Sequence, residues 1–390
     1  MELTNLSVSA SKIIITCSKR LSPYLHQEIN ALGFMKVRVF ATGVELSGTF
    51  NDCIRMNLHL RCASQVLYSL MEFPANHPEE VYKTLVQMPW EKLLSNDTYF
   101  SVTSTVDNPS INNSLYVNVK VKDAIADRLR YKTGGRPNSG SSPDCAVIHL
   151  FWRNEKAEIF IDTSGETLAK HGYRKIPGQA PMLESLAAAT LLATRWDRHS
   201  MFINPMCGSA TVAIEAALLA TNRFPGLLRE NYSFMHFKGF DDIFYEKERK
   251  ALDGKIIDPV ELRIIATDIA EDAINISKIN AGMAGIEKYI EFTRCSFEET
   301  TIPEVSKGVI FFNPEYGERM GVVKELEETY SAIGDFMKKK CKGYMGYIFT
   351  GNLDLAKKVG LRPSRKIEFY TSKIDCRLLE YELYAGTKRK

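Results

Sequence analysis

From Glu184 onward the chain alternates short apolar runs with helical stretches, and this alternation restricts the fold more than any single residue does. Residues 201–204, 262–267, 289–293, 309–313 and 344–350 read as strands, separated by helical segments such as 213–220 and 271–281. Strands that alternate with helix-length connections pack as a parallel, doubly wound sheet. The first half differs. It shows strands at 12–16, 37–40 and 44–47 around a helical run at 26–32, then a strand at 100–105, an amphipathic helix at 119–131 and a hairpin at 147–152 and 158–162. That mixture predicts an α+β region.

A chain of 390 residues is too long for one ordinary core. Three glycines and two prolines between Thr163 and Pro181 mark the join. The expected organisation is an α+β region over 1–165, a linker over 166–180 and an α/β domain over 181–390. The 45% apolar and 25% charged fractions are ordinary for a soluble protein. No apolar run approaches the roughly 18 residues of a membrane helix, and the N-terminus lacks a signal-peptide layout, so a cytoplasmic protein without a membrane partner is expected. Eight scattered cysteines without a C-x-x-C pair, and seven histidines without an H-x-x-x-H spacing, predict reduced thiols and no metal site. The net charge of +3 is small, but residues 1–175 hold 20 Lys and Arg against 17 Asp and Glu, while the remainder holds 30 against 30. Within the first half, Lys120, Lys122, Arg128, Arg130, Lys132 and Arg136 are interrupted only by Asp123 and Asp127. The cluster reads either as a solvated helix face or as a contact for a polyanion.

Two strand ends carry the chemistry. At the first, Asn204-Pro205-Met206-Cys207-Gly208-Ser209-Ala210 turns into a helix. Gly208 lets a ligand approach the main chain, and the unpaired N–H groups of the helix start suit a carboxylate such as that of methionine. Asp268 ends the next strand, where it can accept from both hydroxyls of a ribose, and Ile269 can lie on an adenine face. The G-x-G-x-x-G fingerprint of dinucleotide enzymes, with its acid about twenty residues on, is absent. At the second strand end, Phe311-Phe312-Asn313-Pro314-Glu315-Tyr316 closes in a polar turn. The Asn313 side-chain carbonyl and the Pro314 main-chain carbonyl can accept the two hydrogens of an exocyclic amine, and Tyr316 can stack on the base that bears it. Together the two turns point to methyl transfer from S-adenosylmethionine (AdoMet) to a nucleic-acid amine.

Four segments in order carry a wider resemblance: Ile161-Asp162-Thr163-Ser164-Gly165-Glu166-Thr167-Leu168-Ala169-Lys170-His171-Gly172-Tyr173-Arg174; Asn204 to Thr211; Asp268-Ile269 with Asn280-Ala281; and Asn313 to Arg319. They resemble the bacterial THUMP-containing guanine-N2 methyltransferases of large-subunit (23S) ribosomal RNA. The resemblance implies a ferredoxin-like and THUMP RNA-binding region over 1–165 and a Rossmann-like AdoMet methyltransferase domain over 181–390. It implies that Asn313, Pro314 and Tyr316 hold a flipped guanine. Asn204, Met206, Cys207, Gly208, Ser209, Asp268, Ile269, Cys295 and Ser296 would line the AdoMet site, and the basic cluster from Lys120 to Arg136 would meet 23S rRNA or its precursor. A tRNA substrate, adenine N6 as target, and a non-catalytic RNA-binding or assembly factor stay open. Three positions depart from the family pattern: Glu315 stands for a second proline, Ala210 for a glycine, and Ser296 for an acid that accepts from the adenine amine. If Ala210 needs a positive φ, its Cβ costs about 1 kcal/mol or more. The chain stops at Lys390, where many relatives continue into a second methyltransferase domain, so a single reaction is expected.

Overall fold

The computed structural model describes residues 9–109, 111, 113–176, 181–258, 262–304, 307–316, 323–371 and 374–384. Gly317, Glu318 and Arg319 of the last motif lie outside them. In chain order the elements are β1 (Ser11–Thr16), α1 (Ser22–Ala31), β2 (Arg38–Phe40), β3 (Gly43–Gly48), α2 (Phe50–His59), β4 (Gln65–Pro74), α3 (Pro78–Leu85), β5 (Phe100–Asp107), α4 (Ser114–Thr133), β6 (Ser139–Gly140), β7 (Ala146–Arg153) and β8 (Lys156–Asp162). There follow α5 (Glu184–Ala193), β9 (Met201–Pro205), α6 (Thr211–Ala220), α7 (Asp242–Asp253), β10 (Ile264–Asp268), α8 (Glu271–Met283), β11 (Ile290–Arg294), β12 (Gly308–Phe312), α9 (Val323–Lys340), β13 (Tyr344–Thr350), α10 (Leu353–Lys358), β14 (Arg365–Thr371) and β15 (Ile374–Glu382). No helix among the described residues is long and apolar enough to cross a membrane.

The chain forms two compact units. The first takes residues 1–17, 25–169 and 229–252, and the second takes 18–24, 170–228 and 253–390. Contact therefore assigns 18–24 and 229–252 differently from the sequence-based boundaries. The reason for 229–252 is hydrogen bonding: Arg229 donates to the carbonyls of Ser164, Glu166 and Thr167, and the Ser233 hydroxyl accepts from Val147 N–H at 2.8 Å. For 18–24 it is aromatic packing, with Tyr24 stacked on Phe369 at 5.6 Å.

The first unit is built on one eight-stranded sheet, ordered β2-β3-β1-β4-β8-β7-β5-β6. Antiparallel pairing of β4 with β8 fuses the strands of the N-terminal region to those that follow. Helix α2 starts with a full capping box between Thr49 and Asp52, and α4 starts on Asn113, whose side chain accepts from Leu115 N–H. Beyond β8, the Asp162 carboxylate accepts from Ser164 and Gly165 N–H at 3.0 and 3.3 Å. Gly165 is required there: its φ is +76°, and a Cβ would sit 2.6 Å from the Pro143 carbonyl oxygen.

Burial raises the Asp162 carboxyl from 3.8 to about 7, against the pull of those two N–H groups and Arg229. Between those values the folded chain keeps a proton that the unfolded chain has lost. Its contribution is therefore complete below the unfolded value and declines as pH rises towards about 7. Asp162→Asn keeps the acceptor without the titration. Relative to the wild type, it should gain a few kcal/mol between pH 4 and 7 in urea melts; parallel pH profiles would rule out a raised Asp162.

The second unit holds a seven-stranded sheet, ordered β11-β10-β9-β12-β13-β15-β14. The first five strands are parallel, as the alternation predicts, and β14 and β15 are antiparallel. The sequence reading did not include this hairpin, whose strands carry charged residues among the apolar ones, as in RKIEFYT. One face packs Ile203, Ile265, Ile310, Phe312 and Ile348 under Tyr330, Ile333 and Met337 of α9. On the other face, Phe202, Phe311 and Tyr347 stack in a row at 6.4 Å spacings. Strand order reverses about β9, with β10 on one side and β12 on the other, and a crevice at the carboxyl ends of these strands is where such sheets bind ligands.

Candidate functional site

The ladder between β9 and β12 runs to Ile203 and Ile310. Just past it, Asn204 Nδ2 donates to Phe311 O at 2.9 Å. Asn204 is buried, and its Oδ1 has no hydrogen-bond partner among the described residues. A buried acceptor without a donor is costly, so its place at the switch point suits a donor from a ligand.

The turn that follows is strained. Met206, Gly208 and Ala210 have φ of 52°, 56° and 55°, with no positive φ at Cys207 or Ser209. Alternation of this kind turns successive N–H groups to one side and makes an anion-accepting concavity. Two of the three are not glycines, and non-glycine residues held in this region cluster at ligand sites. Ala210 does adopt the left-handed conformation that its glycine-like position demands, and α6 begins without a side-chain cap. A Cβ at Gly208 would meet open space, so its positive φ is what calls for glycine.

Asp268 anchors the turn. One carboxylate oxygen accepts from Gly208 N–H at 2.9 Å and the other from Ala270 N–H at 3.0 Å. Each oxygen has a second lone pair, leaving acceptor capacity for two ribose hydroxyls. Beside it Ile269 is 71% exposed, an apolar surface available to a flat ring. From α8, buried Ser277 donates to Gly208 O at 2.8 Å, a role the sequence reading missed because serine inside a helix carries no signal of its own. Cys295 N–H donates to Asp268 O at 3.0 Å. Ser296 caps a short turn, accepting from Glu298 N–H at 3.4 Å and donating its own N–H to Glu299, so its hydroxyl is shared where an adenine acceptor was expected. Burial, with the Asp268 carboxylate, pushes the Cys207 thiol well above its ordinary range, which disfavours the thiolate. Among the described residues no group of three or more His, Cys, Asp or Glu could hold a metal.

At the end of β12, Asn313 is half-buried and its side chain makes no hydrogen bond among the described residues. Pro314 is buried, Glu315 is exposed and Tyr316 is half-buried. The Tyr316 ring lies over Gly351, where a Cβ would come within 3.1 Å of it. Gly351 thus gives the ring its seat, another residue the sequence reading did not single out.

The basic cluster on and beyond α4 is largely tied down. Lys120 pairs with Glu79 at 2.7 Å, Lys122 donates to Gly140 O at 2.7 Å, Arg128 forks onto Glu91 at 3.0 and 2.8 Å, and Arg136 reaches Asp123 at 3.4 Å. Arg130 and Lys132 are exposed at the helix end on either side of Tyr131, which is 81% exposed with Lys132 Nζ 5.3 Å from its ring centre.

Comparison with known proteins adds three family matches. Residues 171–380 match the model described as RMKL-like, methyltransferase domain; 12–67 match the RlmL ferredoxin-like domain, and 75–162 the THUMP domain. The ribosomal RNA large subunit methyltransferase K/L of Syntrophotalea carbinolica is 32% identical over 95% of this chain and 53% of its own length. This chain thus spans about half the length of the K/L relatives it matches. The crystal structure of a predicted N6-adenine-specific DNA methylase from Listeria monocytogenes is 27% identical with a TM-score of 0.85, covering 96% of this chain and 97% of that one. SMU.472, whose structure is a complex with S-adenosylhomocysteine (SAH), shares the fold at 24% identity and a TM-score of 0.86, over 97% and 99% of the two chains.

Proposed function

This chain belongs to the RMKL-like methyltransferase family, and on that premise we propose that it transfers a methyl group from AdoMet to the exocyclic N2 of a guanine in 23S rRNA. The observation that carries the reading is the pair of open acceptors at the end of β12, Asn313 Oδ1 and Pro314 O, on the strand that Asn204 ties to the cofactor turn. The site fits AdoMet. The concavity from Met206 to Ala210 and the uncapped start of α6 suit its carboxylate, Asp268 its ribose and Ile269 its adenine. When bound, AdoMet supplies an activated sulfonium methyl.

The work left to the chain is to bind and orient. A guanine amine is a poor nucleophile because its lone pair is delocalised into the ring. Accepting both of its hydrogens, Asn313 and Pro314 aim that lone pair and raise its electron density, while Tyr316 stacks on the base. No strong base is required, because the methylated amine is acidic and passes its proton to water. A base must leave its stack to reach such a pocket, which favours loops or opened RNA. Residues 1–165 are read as the RNA-gripping region, 166–180 as the linker and 181–390 as the catalytic domain, with 229–252 serving the RNA-gripping part. Within the basic cluster, Arg130 and Lys132 around Tyr131 offer two cations and a stacking ring.

The test is labelled AdoMet with protein-free large-subunit rRNA and, in parallel, total tRNA, followed by nucleoside analysis. N2-methylguanosine in rRNA is expected. Label only in tRNA would move the substrate, and N6-methyladenosine would move the base. No label, together with no binding of SAH, would favour a non-catalytic RNA-binding protein.

A further inference from the structure

The segment that ends in His171-Gly172-Tyr173-Arg174 lies outside the cofactor turn and the β12 turn. Its last residues lie as a strap across the two helices that follow the cofactor strands. His171 Nδ1 is 2.7 Å from Glu215 Oε1 of α6, with both side chains fully buried. One helical turn earlier on α6, Arg174 Nη2 donates to Thr211 Oγ1 at 2.8 Å and to Met182 O at 2.6 Å. On α8, Asn280 accepts from Lys175 and Ile176 N–H and donates to Ile176 O. One turn before Asn280 lies Ser277, which holds Gly208.

Resting on the AdoMet reading above, we infer that Arg174 is a positioning residue for the amino-acid end of the cofactor, acting through Thr211. Thr211 is the first residue of α6, where the uncapped N–H groups are. Because Arg174 donates to its oxygen, the Thr211 hydroxyl hydrogen is turned away and left to donate. The neighbouring oxygen, Ser209 Oγ, is 3.4 Å away, a weak partner that a carboxylate outcompetes. Arg174 also brings positive charge to a helix start that already favours anions. The guanidinium is held in place by buried Glu184, 3.5 Å from Nη1, while Arg174 Nε is buried without an acceptor among the described residues.

Breaking a buried ion pair can unfold a domain, so the test uses Arg174→Lys, which keeps the charge and loses the fork, and Thr211→Val, which keeps shape and leaves the ion pair. Calorimetry compares SAH with 5′-methylthioadenosine, which has the same nucleoside and thioether but no amino-acid end. Both variants should bind SAH about 10-fold or more weakly and methylthioadenosine within about 2-fold of wild type. Equal losses for both ligands, or no loss for either, would overturn the role of Arg174 alone. Failure of the wild type to bind SAH would overturn the AdoMet reading and this inference with it.

Discussion

Asn313→Ala is expected to bind SAH within about 2-fold of wild type while its turnover falls by roughly 100-fold or more, the loss typical when one preorganised polar contact to a reacting group is removed. The side chain is half-buried and unbonded at the end of β12, so truncation breaks no hydrogen bond within the described protein and leaves the fold unstrained. On the proposed reading, what disappears is one of two acceptors for the amine hydrogens. Pro314 O alone fixes one N–H and leaves the amine free to rotate about it, which forfeits orientation as well as polarisation. Single-turnover rates at saturating AdoMet, with calorimetric SAH affinity in parallel, separate the two effects. Equal loss of affinity and rate would place Asn313 in the cofactor site instead, and an unchanged rate would remove it from the chemistry. Asn313→Asp keeps an acceptor and should recover part of the rate.

The sequence made legible those parts of the structure that rest on local pattern. The central parallel strands announce themselves because strands buried on both faces are mostly apolar: Gly308–Phe312 is apolar throughout, and Met201–Pro205 departs from it only at Asn204. The two turns stand out because Gly208, Pro314 and the strand-terminal Asp268 are chemically unusual where they stand. Contacts between residues distant in sequence left no such trace. The assignment of 229–252 to the first unit depends on Arg229 meeting carbonyls more than sixty positions earlier, and nothing in the local sequence encodes that pairing. The ion pairs of the basic cluster were hidden for the same reason. Glu79 and Glu91, which take up Lys120 and Arg128, lie about forty residues away, so a run of six cations looked freer than it is. Ala210 shows the opposite case, where one departure from a glycine position foretold a backbone angle that the structure contains.

The second large effect is expected at Asp268, whose replacement by alanine should weaken SAH about 100-fold or more. Two losses combine. The proposed charge-assisted bonds to both ribose hydroxyls go, at about 1.5–3 kcal/mol for each charged hydrogen bond, and so does the acceptor that fixes Gly208 N–H at 2.9 Å. The second matters because the turn is strained: with Met206 and Ala210 both held at positive φ, an unanchored Gly208 lets the chain relax out of the concavity that receives the cofactor. Asp268→Asn keeps one acceptor oxygen without the charge and should fall between wild type and alanine. Unlike the Thr211 and Arg174 variants, Asp268→Ala should weaken 5′-methylthioadenosine as much as SAH, since the ribose is common to both. An SAH affinity within about 3-fold of wild type, or a loss confined to SAH, would show that Asp268 does not hold the ribose. Because the anchor also leaves the apo protein, the variant should melt earlier without ligand, by roughly 1–2 kcal/mol of stability; an unchanged apo melting curve would confine the effect of Asp268 to the bound state.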